Sequence, residues 1–326
     1  MALILMRKKA CFLVLLLLPM LVYAQSTSLD LGNFSFSLTP RILEDGSITD
    51  ISLGMFYSGS LGGEIRVRNT QIAQNEEIPD TDDSLNAKKE TIYEVFVLPI
   101  QYRSVQNPNL NFMVGAGLYY EYDKQDEKGF FTMNSLEDSG LERVNSYKND
   151  FTMHLIGPLL DAKVLYNSEW LSVGLTAGIV PVFHINFAQK LSMDPLVYPG
   201  TANLSEKTWG SPYFYISLDS IIFKYLNATL TYNYARLTKQ VISPQLEGYF
   251  DDENRLIVTD RYWIYPEQSA VTRSIMIEIS ALLPLRGGIS FQAGYGYIHN
   301  FISLDSSPVI QEGKHYLILS TKKTSF

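Results

Sequence analysis

The sequence predicts an all-β chain, closed into an antiparallel up-and-down transmembrane β-barrel. Three observations predict it. From Asn33 to Ser320, stretches of roughly ten residues alternate apolar side chains with small or polar ones, the period-two pattern of strands with two unlike faces. The connections alternate between long, charged segments and short, tight ones, as in a barrel whose two rims meet different surroundings. The non-apolar face carries Gly, Ser, Thr and Asn rather than Lys and Glu, which suits a crowded narrow interior better than open solvent.

The first residues address the chain. Arg7, Lys8 and Lys9 precede an apolar run, Cys11 to Val22, and Tyr23-Ala24-Gln25 follows with small residues Val22 and Ala24 at the cleavage positions. This predicts a secretory signal peptide over 1–24 and a single barrel domain over 25–326. The run is too short to span a bilayer as a helix. Cys11 is the one cysteine of the 326 residues and would leave with the signal, so neither a disulfide nor a thiolate metal site is expected. Loss of Arg7, Lys8 and Lys9 from the 26 basic residues leaves 23 against 34 acidic ones, which argues against nucleic acid as a partner. Aromatics form 13% of the chain, with 21 tyrosines. Mean hydropathy is zero and no later run is a spanning helix.

The strands follow in order. Phe34, Phe36 and Leu38 share one face of the first, and Ile51, Leu53, Met55 and Tyr57 one face of the second, after the turn Glu44-Asp45-Gly46. Phe112, Val114, Ala116, Leu118 and Tyr120 oppose Met113, Gly115, Gly117, Tyr119 and Glu121. Similar pairs of faces recur at 171–179, 227–234, 274–281 and 289–297. About twelve strands result, within a range of roughly 8 to 14: near 29–40, 48–58, 63–73, 91–104, 110–123, 151–166, 170–188, 211–223, 226–242, 271–285, 288–304 and 314–322. Two fit poorly. Val95 to Tyr102 is apolar on both faces, and the sixth strand shifts phase near Gly157-Pro158, which predicts a bulge there.

The long connections are Gln74 to Glu90, Lys124 to Asp150, Gln189 to Gly210 and Ser243 to Ala270. An even strand count puts them outside the cell and the short turns in the periplasm. Tyr249 to Tyr265 reads alternatively as a hairpin about Asp251-Asp252-Glu253-Asn254. Phe130-Phe131 and Tyr262-Trp263-Ile264-Tyr265 are apolar enough to fold back on the barrel mouth. Tyr102, Tyr166, Trp170, Phe223 and Tyr225 flank the short turns, while Tyr122, Phe183, Phe187, Tyr213, Tyr234 and Phe301 flank the long loops. That is the arrangement of two interfacial girdles.

On these residues the chain resembles the outer-membrane β-barrel proteins of Gram-negative bacteria and spirochaetes, as a small porin-like barrel. Its last strand is similar to the C-terminal assembly signal of such barrels: Gln311, Gly313, Tyr316 and Ile318 match the pattern, and Phe326 ends the chain. Ser320, Lys322 and Thr324 depart from the apolar alternation expected there. The resemblance implies location in the outer membrane. It also implies membrane lipid, the barrel-assembly machinery and periplasmic chaperones as partners, and no cofactor. Only a few residues stand between Ala24 and the first strand, so an N-terminal plug domain is not expected.

Inward charges are the functional suspects: Glu64, Arg66 and Arg68 on the third strand, Glu121 on the fifth, Asp161 and Lys163 on the sixth, Asp219 and Glu278 on later ones. They would either form a constriction that selects small hydrophilic solutes or a salt-bridged plug in a closed structural or adhesive barrel. No chemistry is expected. None of His154, His184, His299 and His315 has a Ser two positions on, and His154 reads as an inward polar residue. Asp80-Thr81-Asp82-Asp83 lacks the glycine turn and closing glutamate of a calcium loop, so no metal site is expected.

Overall fold

The computed structural model describes residues 34–56, 60–77, 85–107, 109–133, 143–193, 200–250, 256–285, 289–304 and 310–323. The expected signal peptide, Asp80 to Asp83 and Phe326 lie outside these. The strands are β1 (Phe34–Leu43), β2 (Gly46–Phe56), β3 (Leu61–Glu77), β4 (Leu85–Asn107), β5 (Leu110–Met133), β6 (Arg143–Asn167), β7 (Leu171–Val180), β8 (Phe183–Met193), β9 (Gly200–Ile222), β10 (Leu226–Phe250), β11 (Leu256–Pro284), β12 (Ile289–Leu304) and β13 (Ile310–Lys323). All pair antiparallel in one sheet. β1 pairs with β13, and β9 joins β10 to β7 and β8, so the sheet closes on itself as a barrel. β7 and β8 run end to end between β6 and β9, as one stave interrupted at Pro181-Val182. The thirteen strands thus make the expected twelve staves.

The long connections are mostly strand, which corrects their reading as loops. β5 and β6 stay paired from Gln125↔Phe151 out to Met133↔Arg143, and β10 and β11 out to Phe250↔Leu256. The predicted hairpin at 249–265 is therefore present in its pairing, while 251–254 lie outside the described residues. Phe130, Phe131 and Tyr262 to Tyr265 belong to these paired ribbons and do not fold back as loops. The physical reason is plain. From Lys124 to Lys128 the ribbon is polar on both faces, so the period-two signal fades there while backbone pairing continues.

The expected bulge at Gly157-Pro158 is absent from β6. Its pairing with β5 runs through Tyr119↔Gly157 and Leu118↔Pro158 without a shift. Phe151, Met153, Leu155, Leu159 and Asp161 are all buried on one unbroken inward face. What changes along that face is its chemistry, apolar above and charged below. The irregularity lies on the neighbouring stave, where Val180 and Phe183 both point inward across Pro181-Val182. Proline cannot donate to the ladder there. Gly157 makes room for it: a methyl group at this position would lie 2.4 Å from the Val182 carbonyl oxygen.

The two-sided apolarity of Val95 to Tyr102 has a similar cause. Phe96 and Leu98 are buried inside, Ile100 and Tyr102 are exposed outside, and the register against β5 shifts between Val97 and Ile100, across Pro99.

Candidate functional site in the barrel interior

The outer surface decides what surrounds the barrel. Ile65, Ile100, Val114, Leu118, Leu160, Leu175, Leu230, Ile279 and Leu317 are exposed on the outward face, from β3 round to β13. At the short-turn rim, Tyr102, Tyr166, Trp170, Phe223 and Tyr225 are exposed as expected. At about 3.4 Å per residue and a tilt of about 40°, the run from Tyr102 to Tyr93 spans roughly 23 Å, the height of a hydrocarbon band. An unbroken apolar belt on a closed sheet, edged by aromatic rings, has lipid for its solvent. The chain is a transmembrane β-barrel.

The girdle at the other rim differs from expectation. Tyr122, Tyr234 and Phe301 face outward, but Phe183, Phe187 and Tyr213 are buried in the barrel. The break at Pro181-Val182 reverses the parity of β8, and β9 makes the same step at Ser211-Pro212, with Gly210 and Tyr213 both buried. Histidines occupy this rim. His154 is exposed on the outside, which corrects its inward reading. Its Nδ1 lies 2.9 Å from the Tyr120 hydroxyl, and its ring centroid 4.9 Å from that of Tyr122. His184 packs edge-on to Trp209, His299 against Phe301 and His315 against Tyr297.

Inside, the two halves of the barrel differ. Toward the long hairpins, Phe96, Leu98, Tyr119, Phe151, Met153, Leu155, Leu159, Phe183, Ile185 and Phe187 pack with Tyr213 and Tyr215 into one apolar cluster on the inner wall of β4 to β9. Leu43, Ile48, Met276, Tyr316 and Ile318 form another on β1, β2, β11 and β13. Large rings fit because glycine faces them across the ladder. A methyl group at Gly178 would lie 2.3 Å from the Tyr215 ring, its partner in register.

Beside and below these clusters runs a lattice of arginines and carboxylates. Arg66 on β3 donates to Asp161 Oδ2 at 2.7 Å on β6 and to the Tyr215 hydroxyl at 2.7 Å on β9. Its guanidinium sits 5.1 Å from the Phe96 ring centroid and 5.4 Å from that of Tyr215. Tyr215 also donates to Asp161. Higher up, the rings of Tyr119 and Tyr213 stack 5.1 Å apart. These contacts tie β3, β5 and β6 to β9 and make a septum of side chains across the lumen. Against the opposite wall, Arg41 holds Asp50 and Glu278, Arg68 holds Asp50 at 2.7 Å and Glu94 at 3.7 Å, and Tyr316 donates to Glu278 at 3.0 Å.

Toward the short turns the lumen stays hollow. A cavity of about 360 Å³ is lined by Ser37, Thr39, Ser52, Ser172, Thr176, Ser217, Thr229, Asn227, Gln292 and Ser320. The predicted Glu64, Arg66, Arg68, Lys163, Asp219 and Glu278 line it too. Asp161 is buried against Arg66 at its upper edge. Glu121 lies apart from the cavity, accepting from Tyr119.

Several lumen charges escaped sequence reasoning, Lys322 among them, which was read only as a departure from the apolar alternation of the last strand. Arg41 falls one residue past the expected end of the first strand. Asp50 was legible by parity, since Ile51, Leu53 and Met55 face out. Glu94 opens the stretch that is apolar on both faces, where parity gives no signal. In the assembly-signal match, Tyr316 and Ile318 point into the lumen, Leu317 and Leu319 face outward, and Gln311 and Gly313 are exposed near the long-hairpin end of β13. The apolar positions of that match are therefore interior ones here. Among the described residues no group of acidic and histidine side chains could hold a metal ion.

No protein-family model and no curated protein matches this chain. Several solved structures do. A Pseudomonas aeruginosa FadL homologue is 10% identical over 90% of this chain and 89% of its own, with a TM-score of 0.45. The Pseudomonas putida toluene transporter TodX is 8% identical over 90% of both chains, with a TM-score of 0.43. The translocator domain of the autotransporter NalP from Neisseria meningitidis is 11% identical over 98% of both chains, with a TM-score of 0.42. Scores this low carry no weight in the assignment, which rests on closure and the outward apolar belt.

Proposed function

We propose that the barrel is a narrow outer-membrane channel that passes small hydrophilic solutes by diffusion, with the septum as its constriction. The observation that carries this reading is the contrast inside the lumen. Toward the long hairpins the inner wall of β4 to β9 is packed with apolar side chains, so this chain can fill a lumen where filling is wanted. The lower half is left hollow and lined by hydroxyls, amides and charges, at the cost of apolar packing a purely structural barrel would gain. On this reading the short turns face the periplasm, no chemical step is involved, and the partners are membrane lipid, the assembly machinery and its chaperones.

Liposome swelling tests it. Vesicles bearing the refolded protein should swell in isotonic solutions of small sugars or amino acids. Tyr119→Ala with Tyr213→Ala should swell faster, because the stacked rings are removed. Vesicles of both proteins that swell no faster than empty ones would leave the closed, adhesive barrel as the better reading. The paired ribbons beyond the outer rim favour that second reading, since they would hold a binding surface in fixed form.

A further inference from the structure

The cavity's charges divide unequally. Asp50 and Glu278 are held by Arg41, and Asp50 by Arg68 as well. Asp161, at the upper edge, is held by Arg66. Glu64 takes Gln101 at 3.1 Å and has Arg66 at 3.9 Å. The carboxylates of the arginine lattice are thereby spent. Lys163 and Lys322 also line the cavity, and among the described residues neither forms an ion pair. Asp219 accepts from the Thr229 hydroxyl at 2.8 Å.

Their placement is specific. Lys163 is on β6 and Lys322 on β13, and the strand order puts five staves between them in either direction, so they face each other across the lumen. The wall between carries hydroxyl groups, including Ser37, Thr176, Ser217 and Ser320. The chain as a whole has a formal charge of −8. Lys163, Lys322 and Lys323, set in the cavity against the one carboxylate among the described residues there that lies outside the arginine lattice, Asp219, are therefore a matter of position, against the sign of the molecule. Ammonium groups with hydroxyl donors around a small hollow are what an oxyanion needs, because each bond is charge-assisted or directed by an O–H.

We propose that this chamber binds a small oxyanion, a solute bearing a carboxylate or phosphate group, between Lys163 and Lys322. As a statement about transported solutes it rests on the channel reading; as a binding site it does not.

Inorganic phosphate is the probe. Calorimetric titration of the refolded full chain in detergent should show saturable binding that weakens as sodium chloride rises. Lys163→Gln with Lys322→Gln should weaken it by about tenfold or more, and Lys224→Gln, on an exposed turn, should leave it unchanged. Absence of binding to the unaltered protein overturns the proposal without need of any variant, and so does equal binding by the double variant. A salt gradient across a planar bilayer separates the two readings. Anion-preferring current that shifts toward cations in the double variant supports both. Cation-preferring current in the unaltered protein overturns the oxyanion as the transported solute and leaves the channel standing. Lysine-dependent phosphate binding without any current upholds the site and removes the channel.

Discussion

Lys224 and Phe223 are at φ 67° and 51°, both left-handed, in the turn where Tyr225 N–H donates to Ile222 O at 3.1 Å. Two such residues make the mirror-image turn that matches strand twist, and glycine suits the second position best. Lys224→Gly should stabilise the barrel by about 0.5–1 kcal/mol in urea unfolding. Asp161 predicts the opposite sign. Its removal leaves Arg66 in the lumen without its nearest carboxylate, so Asp161→Ala should cost about 3 kcal/mol or more. Beyond the membrane, Lys124 donates to Asp126 at 2.9 Å and holds that carboxyl below the ordinary carboxylate range. A depressed carboxyl stabilises the folded state at neutral pH and loses its contribution as pH falls through the folded value. The pair is exposed, so the effect is confined to its own ribbon and is read by local amide exchange at acid pH. At this scale parity alone placed Glu64, Arg66, Arg68, Lys163, Asp219 and Glu278 inside. It failed for Phe183 and Phe187, because Pro181-Val182 reverses parity and a sequence does not announce the reversal, whereas Tyr213 shares the inward parity of Asp219.

Elements were legible where two unlike solvents, lipid and lumen, wrote different residues on alternate positions. They were not where both faces met similar surroundings. Val95 to Leu98 is apolar twice over because its inner face joins the lumen cluster. The ribbon from Lys124 to Lys128 is polar twice over because water surrounds it. Two measurements follow. Lys124 and Lys128 pair with Thr152 and Lys148, so trypsin should spare both bonds in the folded protein although they fall in the expected loop. Rapid cleavage there would contradict the ribbon. Gly157→Val should destabilise the barrel by about 2–3 kcal/mol, since the new side chain meets the Val182 backbone where the neighbouring stave is interrupted.

For the whole molecule, twelve staves and a lipid-facing belt were readable from period and loop length, because closure demands both. The filled upper lumen was not, because it depends on which rings meet across the barrel. Orientation can be tested with the chain's own composition, since Cys11 is its one cysteine and falls in the expected signal. A membrane-impermeant maleimide should label Glu44→Cys on intact cells and Glu169→Cys only after lysis. The reverse pattern would invert the barrel. The central claim is that the lumen conducts, and single-channel recording in a planar bilayer tests it most directly. The account predicts small, discrete current steps from the refolded protein, larger ones when Tyr119→Ala and Tyr213→Ala open the septum, and altered ion preference in Arg66→Ala. A silent bilayer with the unaltered protein and with all these variants would contradict it.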